Sequence, residues 1–391
     1  MVADGRNYQG PHLYALYKYD KKIDEATVSM LYATGFLSAA ISAIWAGQFA
    51  DRVGRKYACL LYPALSSAAN LSLHVNHLPL LILGRALGGI ATTLLCSTFE
   101  TWMIAEYHAV ALDDSVLPLS LVLGSMTFLS STVGILSGVA SDFLVEATRL
   151  RTAPFTASSG CSCMASLLIS KLWPEHKGGN NLAAVDAQSE LRRSALRIIR
   201  SRRLLALGVA SCCFEGSMYL FVFFWSAALK SARGHWNPGK ELPYGAIFSS
   251  FMGAMMAGSL VFSLLCQAWL KKKASTGLAV IMLMASFSFL GAALLKTESL
   301  IFWAFSFFEV CVGLFIPMLG LLRSQMVVDD DIRGTIYSLY RLPTNLFVLV
   351  AHCLDKEGVF PTAHGESLAD RARQEMNTAR ISSRRWLACS W

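Results

Sequence analysis

The chain has 391 residues, of which 54% are hydrophobic and only 15% charged, and it carries a formal net charge of +8. Soluble domains carry about 25% charged residues, so this chain lacks the polarity to cover a wet surface, whereas a bilayer accepts apolar side chains outward. Its basic residues fall in short clusters between apolar runs, which suits the flanks of membrane spans and speaks against a nucleic-acid-binding stripe.

Taken in chain order, residues 1–20 are polar and aromatic without a continuous apolar core, so no secretory signal is expected there. A helix needs about 20 mainly apolar residues to cross about 30 Å of hydrocarbon. Ten segments meet that need: residues 26–50, 57–73, 79–105, 116–140, 153–173, 204–229, 244–270, 275–295, 300–322 and 335–353. The second and the fifth are the weakest, being short and serine-bearing. Five spans precede and five follow a polar stretch, 174–203, that holds Lys177, Arg192, Arg193, Arg197, Arg200, Arg202 and Arg203. Its second half reads as a helix with arginines on one side. A solvated linker helix is the plainer reading, and a helix lying on the membrane surface is the other.

These features divide the chain into an N-terminal helical bundle (1–173), a cytoplasmic linker (174–203), a C-terminal helical bundle (204–353) and a polar, disordered tail (354–391). The positive-inside rule places 51–56, 106–115, 174–203, Lys271 to Lys273 and 323–334 in the cytosol. Both termini then fall outside, with Arg371, Arg373, Arg380, Arg384 and Arg385 on the unfavoured side.

Cysteines at 59, 96, 212, 213, 266 and 311 lie within apolar runs, where they act as small hydrophobes. Cys161 and Cys163 stand one residue apart, which is not a zinc spacing. Neither a disulfide framework, a metal nor any other cofactor is expected. No nucleophile elbow or phosphate-cradling loop is present, so an enzyme is not expected either.

Between the first two spans stands Gly47-Gln48-Phe49-Ala50-Asp51-Arg52-Val53-Gly54-Arg55-Lys56. Gly47 lets helices approach closely. Asp51 can accept hydrogen bonds from the N-terminus of a neighbouring helix or from an arginine. Gly54 permits a tight turn, and Arg55 and Lys56 hold the loop on the cytosolic side. With Arg52, this stretch resembles the cytoplasmic signature loop of the major facilitator superfamily. Gly84-Arg85-Ala86-Leu87-Gly88-Gly89, one helix later, resembles the arginine-and-glycine pattern of that family's fourth helix.

More specific stretches are similar to the molybdate-anion transporter branch of the superfamily. They are residues 10–17, 84–89, Phe99-Glu100-Thr101-Trp102, Phe214-Glu215, 221–225, 247–252 and Arg341-Leu342-Pro343. The resemblance covers most of residues 8–349. It implies an all-α membrane protein with the major facilitator fold: two pseudo-symmetric helical bundles, about ten of a twelve-helix core being present here. It also implies a multi-pass monomer of the cell membrane that takes up molybdate or a similar oxyanion as a secondary active carrier. Only the outer end of the first helix is represented, near residues 8–19, and nothing after residue 353 is apolar enough for a last one. An incomplete gene model is the expected cause. A carrier of a sugar or organic ion, or a non-transporting truncated product, are the alternatives.

Within a span, an ionisable side chain costs about 2.5–3.5 kcal/mol unless it is paired or wetted. That makes Arg85, Glu100, Glu215, Glu309 and Arg341 informative. Arg323, Asp142, Lys171 and Lys230 stand near span ends, where side chains can snorkel. Arginine's planar fork suits a tetrahedral oxyanion, so Arg85 or Arg341, aided by Asn345 and Tyr337, is the candidate substrate ligand. The plainer alternative pairs each arginine with a glutamate. Pro343 is expected to break its helix and free carbonyls near Arg341. Glu215, Glu100 and Glu309 are candidate proton-coupling carboxylates, Glu215 foremost. The aromatics at 221, 223, 224 and 225 are expected to pack against lipid or neighbouring helices rather than to gate.

Overall fold

A computed structural model of the chain describes residues 13, 16–110, 117–176, 187–236, 244–268, 273–295, 297–327 and 332–355. The expectations for most of the N-terminal stub, for Lys271 and Lys272, for the side chains of Phe223 and Phe224 and for the tail from 356 onward lie outside these residues.

A π-helical turn, Leu16–Asp20, leads to α1 (Glu25–Ser42), whose first turn is capped by Asp24 accepting from the Thr27 amide at 2.9 Å. Next come α2 (Ala46–Val53), α3 (Arg55–Ser72), α4 (Leu78–Ala109), α5 (Leu119–Thr148) and α6 (Ala153–Leu172). The linker forms α7 (Ala187–Arg200). The remaining helices are α8 (Arg202–Trp236), α9 (Tyr244–Ala268), α10 (Ala274–Leu294), α11 (Glu298–Met326) and α12 (Arg333–Asp355). Every expected span is helical at close to its expected limits. The first is not continuous, however: α1 and α2 are bent by 48° across residues 43–45.

Among the described residues, α4, α5, α8, α9, α10 and α11 are each long and apolar enough to cross a membrane, and the bent α1–α2 pair makes a seventh. The more polar α3, α6 and α12 rely on neighbours. Large apolar side chains point away from the protein around the molecule: Leu136 is 64% exposed, Phe143 69%, Phe287 69% and Trp303 67%. In water such a surface would aggregate, and in a bilayer it meets acyl chains.

Two bundles result. In the first, α4 packs on α1 and α3, α3 on α6, and α2 on α3 and α4. In the second, α11 is the central helix, held between α8, α9 and α10, with α12 lying on α8. The bundles meet where α5 packs on α9 and α11, and where α12 packs on α1, α2 and α4. Their interiors are built differently. In the first, hydroxyls tie helices together: Ser42 donates to Thr93 at 3.0 Å, and Thr93 to the Ala39 carbonyl at 3.0 Å. Such bonds contribute about 0.6 kcal/mol each in membrane proteins. In the second, rings interlock: Phe214 stacks on Phe315 at 3.7 Å, Phe221 meets Phe251, Phe305 and Phe308, and Phe289 meets Phe308 at 4.4 Å. Each such pair adds about 0.5–1.5 kcal/mol beyond burial.

Pro343 does not break α12, which runs unbroken through it. The proline removes one backbone donor but leaves the helix continuous, and α12 is packed on several sides.

Candidate functional site

The sequence between the first two spans folds into a clasp between the bundles. Gly54, at φ +136°, ends α2 and starts α3 in a conformation that L side chains rarely adopt, so the turn depends on glycine. Its turn aims Asp51, 1% exposed, at the start of α12. There the carboxylate accepts from the Thr335 amide at 3.0 Å and the Thr335 hydroxyl at 3.3 Å, and from Arg55 at 3.2 Å. A carboxylate at a helix N-terminus meets both free amides and the positive end of the dipole. Gly47 lies directly against the Gly334 backbone, where any side chain would overlap it. Ser338 adds a bond to the Ala43 carbonyl at 2.7 Å.

Linker residues tighten the clasp. Glu190 of α7, 2% exposed, accepts from Arg52 at 2.7 Å and from the Thr335 hydroxyl at 3.2 Å, so it bridges α2 and α12. Lys56 donates its amide to Glu175 at 3.0 Å and its ammonium to the Ser170 carbonyl at 2.9 Å. The polar stretch after α6 is thus docked against the bundles at its two described parts.

Deeper, between the bundles, lies an ionic cluster. Glu215 of α8 takes Arg341 of α12 on one oxygen and Arg323 of α11 on the other, the latter at 3.2 Å. Ser211, one turn before Glu215, donates to it at 2.8 Å. Arg341 also donates to the Tyr219 hydroxyl at 2.9 Å. Across the bundle boundary, Arg323 reaches Glu100 of α4 at 3.7 Å and lies over the rings of Tyr337 and Tyr340. Two carboxylates therefore face two guanidinium groups. Several polar atoms remain buried there without a hydrogen-bond partner among the described residues: Oε1 of Glu100, Nε of Arg323, Nε of Arg341 and the Tyr337 hydroxyl. A buried polar group without a partner is costly, so this cluster is chemically incomplete by itself.

The other candidate residues divide. Tyr337, Arg341 and Asn345 recur every four residues on one buried face of α12. Arg85 is elsewhere: it is 15 residues from Glu100 on α4, about 22 Å along the axis. Its guanidinium lies 5.0 Å from the Tyr32 ring and donates to the Leu31 carbonyl at 3.4 Å, beside a cleft lined by Tyr17, Tyr62, Ser66, Asn70 and Thr92. No carboxylate pairs with it among the described residues. Glu309 is buried in mid-α11 without a bonded partner among the described residues, 14 residues or about 21 Å from Arg323. Arg323, which its place near a span end makes unremarkable in the sequence, is 5% exposed and joins more of the cluster than any other side chain. A helix continuing past it to Met326 places it inside the protein.

Comparison with known proteins bears on the fold and the family. Residues 1–309 match a family model described as sugar transporters with 12 transmembrane segments. The chain is 30% identical over 363 residues to a molybdate-anion transporter of Xenopus tropicalis, covering 89% of this chain and 76% of that protein. It is 27% identical over 393 residues to the one of Takifugu rubripes, covering 92% and 78%. Among solved structures, it is similar to the fucose:proton symporter of E. coli with a TM-score of 0.65 at 13% identity, covering 93% of this chain and 92% of that one. The human organic anion transporter MFSD10 gives 0.62 at 15% identity, covering 89% and 83%.

Proposed function

This chain belongs to the major facilitator superfamily, in the molybdate-anion transporter family, and is a multi-pass membrane transporter rather than an enzyme; from that premise we propose that it takes up molybdate by alternating access. The observation that carries the reading is the cluster of buried Arg341, Arg323 and Glu215 with half-buried Glu100, in which Nε of each arginine keeps a donor without a partner among the described residues. A tetrahedral dianion presents acceptor oxygens in several directions, which such forks satisfy and which a neutral sugar does not need. Tyr337, Asn345 and Tyr219 supply further donors along the same wall. Arg85, far along α4, raises the positive potential on the approach instead of sharing the site.

The cluster is balanced in charge, so a dianion entering a low-dielectric interior brings an excess of negative charge. Protonating a carboxylate offsets it. Glu215 is held by two arginines and a serine, whereas Glu100 has one long contact and a bare oxygen, so Glu100 is the carboxylate that takes the proton, and Glu215 positions the arginines. Uptake by the wild-type protein should rise as the outer medium is acidified. In Glu100→Gln the pH-dependence should vanish; if it persists there and disappears only in Glu215→Gln, the assignment reverses.

Residues 1–173 and 204–353 would rock as two bodies joined by 174–203, with the Asp51 clasp closing the cytosolic end. Proteoliposomes loaded with labelled molybdate and challenged with sulfate, a hexose or an organic cation decide the substrate. Competition by sulfate but not hexose is expected, and hexose uptake without molybdate uptake would reject the oxyanion reading.

A further inference from the structure

The linker helix α7 has two faces of unlike chemistry. Glu190 and Ser194 are fully buried against α12 and α8, with residues 191, 195 and 198 partly covered on the same side. The opposite side, about 160° wide at 100° per residue, carries Arg192, Arg193, Leu196, Arg197, Ile199 and Arg200, all exposed. Arg202 and Arg203, the first residues of α8, are exposed as well, immediately before its apolar run begins at Leu204. The only carboxylate on α7 is Glu190, and it is turned inward and bonded to Arg52 and Thr335.

This composition does not suit a helix bathed in water. Ile199 is 64% exposed and Leu196 37% among the described residues. Their companions are cations, which keeps the face from being a protein-packing seam. Aliphatic side chains between arginines are what a helix at the level of lipid headgroups requires, with the apolar groups dipping toward the acyl boundary and the guanidinium groups reaching phosphates. Position agrees, because the exposed arginines sit where a membrane span starts.

We propose that the exposed face of α7, through Arg192, Arg193 and Arg200, together with Arg202 and Arg203 at the start of α8, is a docking surface for anionic phospholipid headgroups of the cytosolic leaflet. The inference rests on the chain being a membrane protein but not on its substrate, so failure of molybdate uptake leaves it untouched. Because Glu190 of the same helix bridges α2 and α12, lipid bound on one face steadies a clasp held by the other.

The test uses the full chain in detergent micelles, titrated with phosphatidylserine or phosphatidylcholine and read by native mass spectrometry. Phosphatidylserine should be retained preferentially, and the preference should fall as salt is raised. Each arginine near a headgroup layer contributes about a fivefold factor, so the triple variant R192Q/R193Q/R200Q should lose about a hundredfold in retention. None of these three makes a hydrogen bond or ion pair among the described residues, and the charge-keeping variant R192K/R193K/R200K should retain the lipid. Equal retention of the two lipids overturns the proposal, as does a glutamine variant that binds like wild type. Displacement of the lipid by inorganic phosphate of equal charge would also overturn it, by showing a free-anion site. Should the glutamine variant not fold, the lipid preference and its salt dependence in the wild-type protein still decide.

Discussion

Arg341→Gln should abolish uptake, and adding Glu215→Gln should restore the folded protein without restoring uptake. Arg341 and Glu215 are both buried and directly paired. Removing one partner of a buried pair leaves an uncompensated charge and costs about 3–5 kcal/mol, whereas removing both is close to neutral. The single variant should therefore express poorly, with Glu215 left to Arg323 and Ser211. The double variant separates two roles. If Arg341 serves only to brace α8 against α12, neutralising both ends recovers transport. If its fork binds the oxyanion, one charged hydrogen-bonding group of about 1.5–3 kcal/mol is lost, and uptake at low substrate falls by about 10- to 100-fold. Labelled uptake in proteoliposomes, normalised to folded protein, gives the answer; wild-type uptake in the double variant would remove Arg341 from the binding site.

A second large effect is expected at Gly47. In Gly47→Val the added carbons meet the backbone of Gly334 and Thr335, neither of which can move aside without shifting α12. Overpacking of this kind costs about 1–3 kcal/mol, and here the strain falls only on the arrangement with the clasp shut. A bias of that size shifts the balance between conformations by about 5- to 150-fold. The protein should fold, transport slowly and stand open at the cytosolic end. Ser338, buried beside the clasp, reports this: as cysteine it should react faster with a thiol reagent applied from the cytosolic side when Gly47 is valine. Unchanged reactivity together with unchanged uptake would show that the clasp does not gate.

Much of the architecture was legible because membrane helices must be long and apolar, and length and composition survive in the bare sequence. The bend at residues 43–45 was not, since Ile44 and Trp45 keep the run apolar while the backbone turns. Asp51 and Gly54 stand out in the sequence as a carboxylate acceptor and a turn glycine, but nothing near them in the chain says that the acceptor meets the start of α12. The ionic cluster was half legible. Glu215 and Arg341 stand out as charges in apolar stretches, but Arg323 lies close to a polar segment, and only a helix extending past it takes it inside. Arg85 and Arg341 look alike in sequence, yet separate elements carry them to separate places. Pairing across 126 residues is a property of the packed bundles and leaves no local mark.

The interlocked rings joining α8, α9, α10 and α11 bear on how the molecule can deform. Rings packed edge-on and face-on resist sliding, because each would have to climb over its neighbour, so those four helices should move as a stiff block. Hydroxyl and alanine contacts, such as those between α1 and α4, tolerate small slips. In the proposed alternating-access cycle the compliance would therefore lie on the α1–α4 side, and larger side chains introduced there should slow turnover more than changes of equal volume on the outer side of α10.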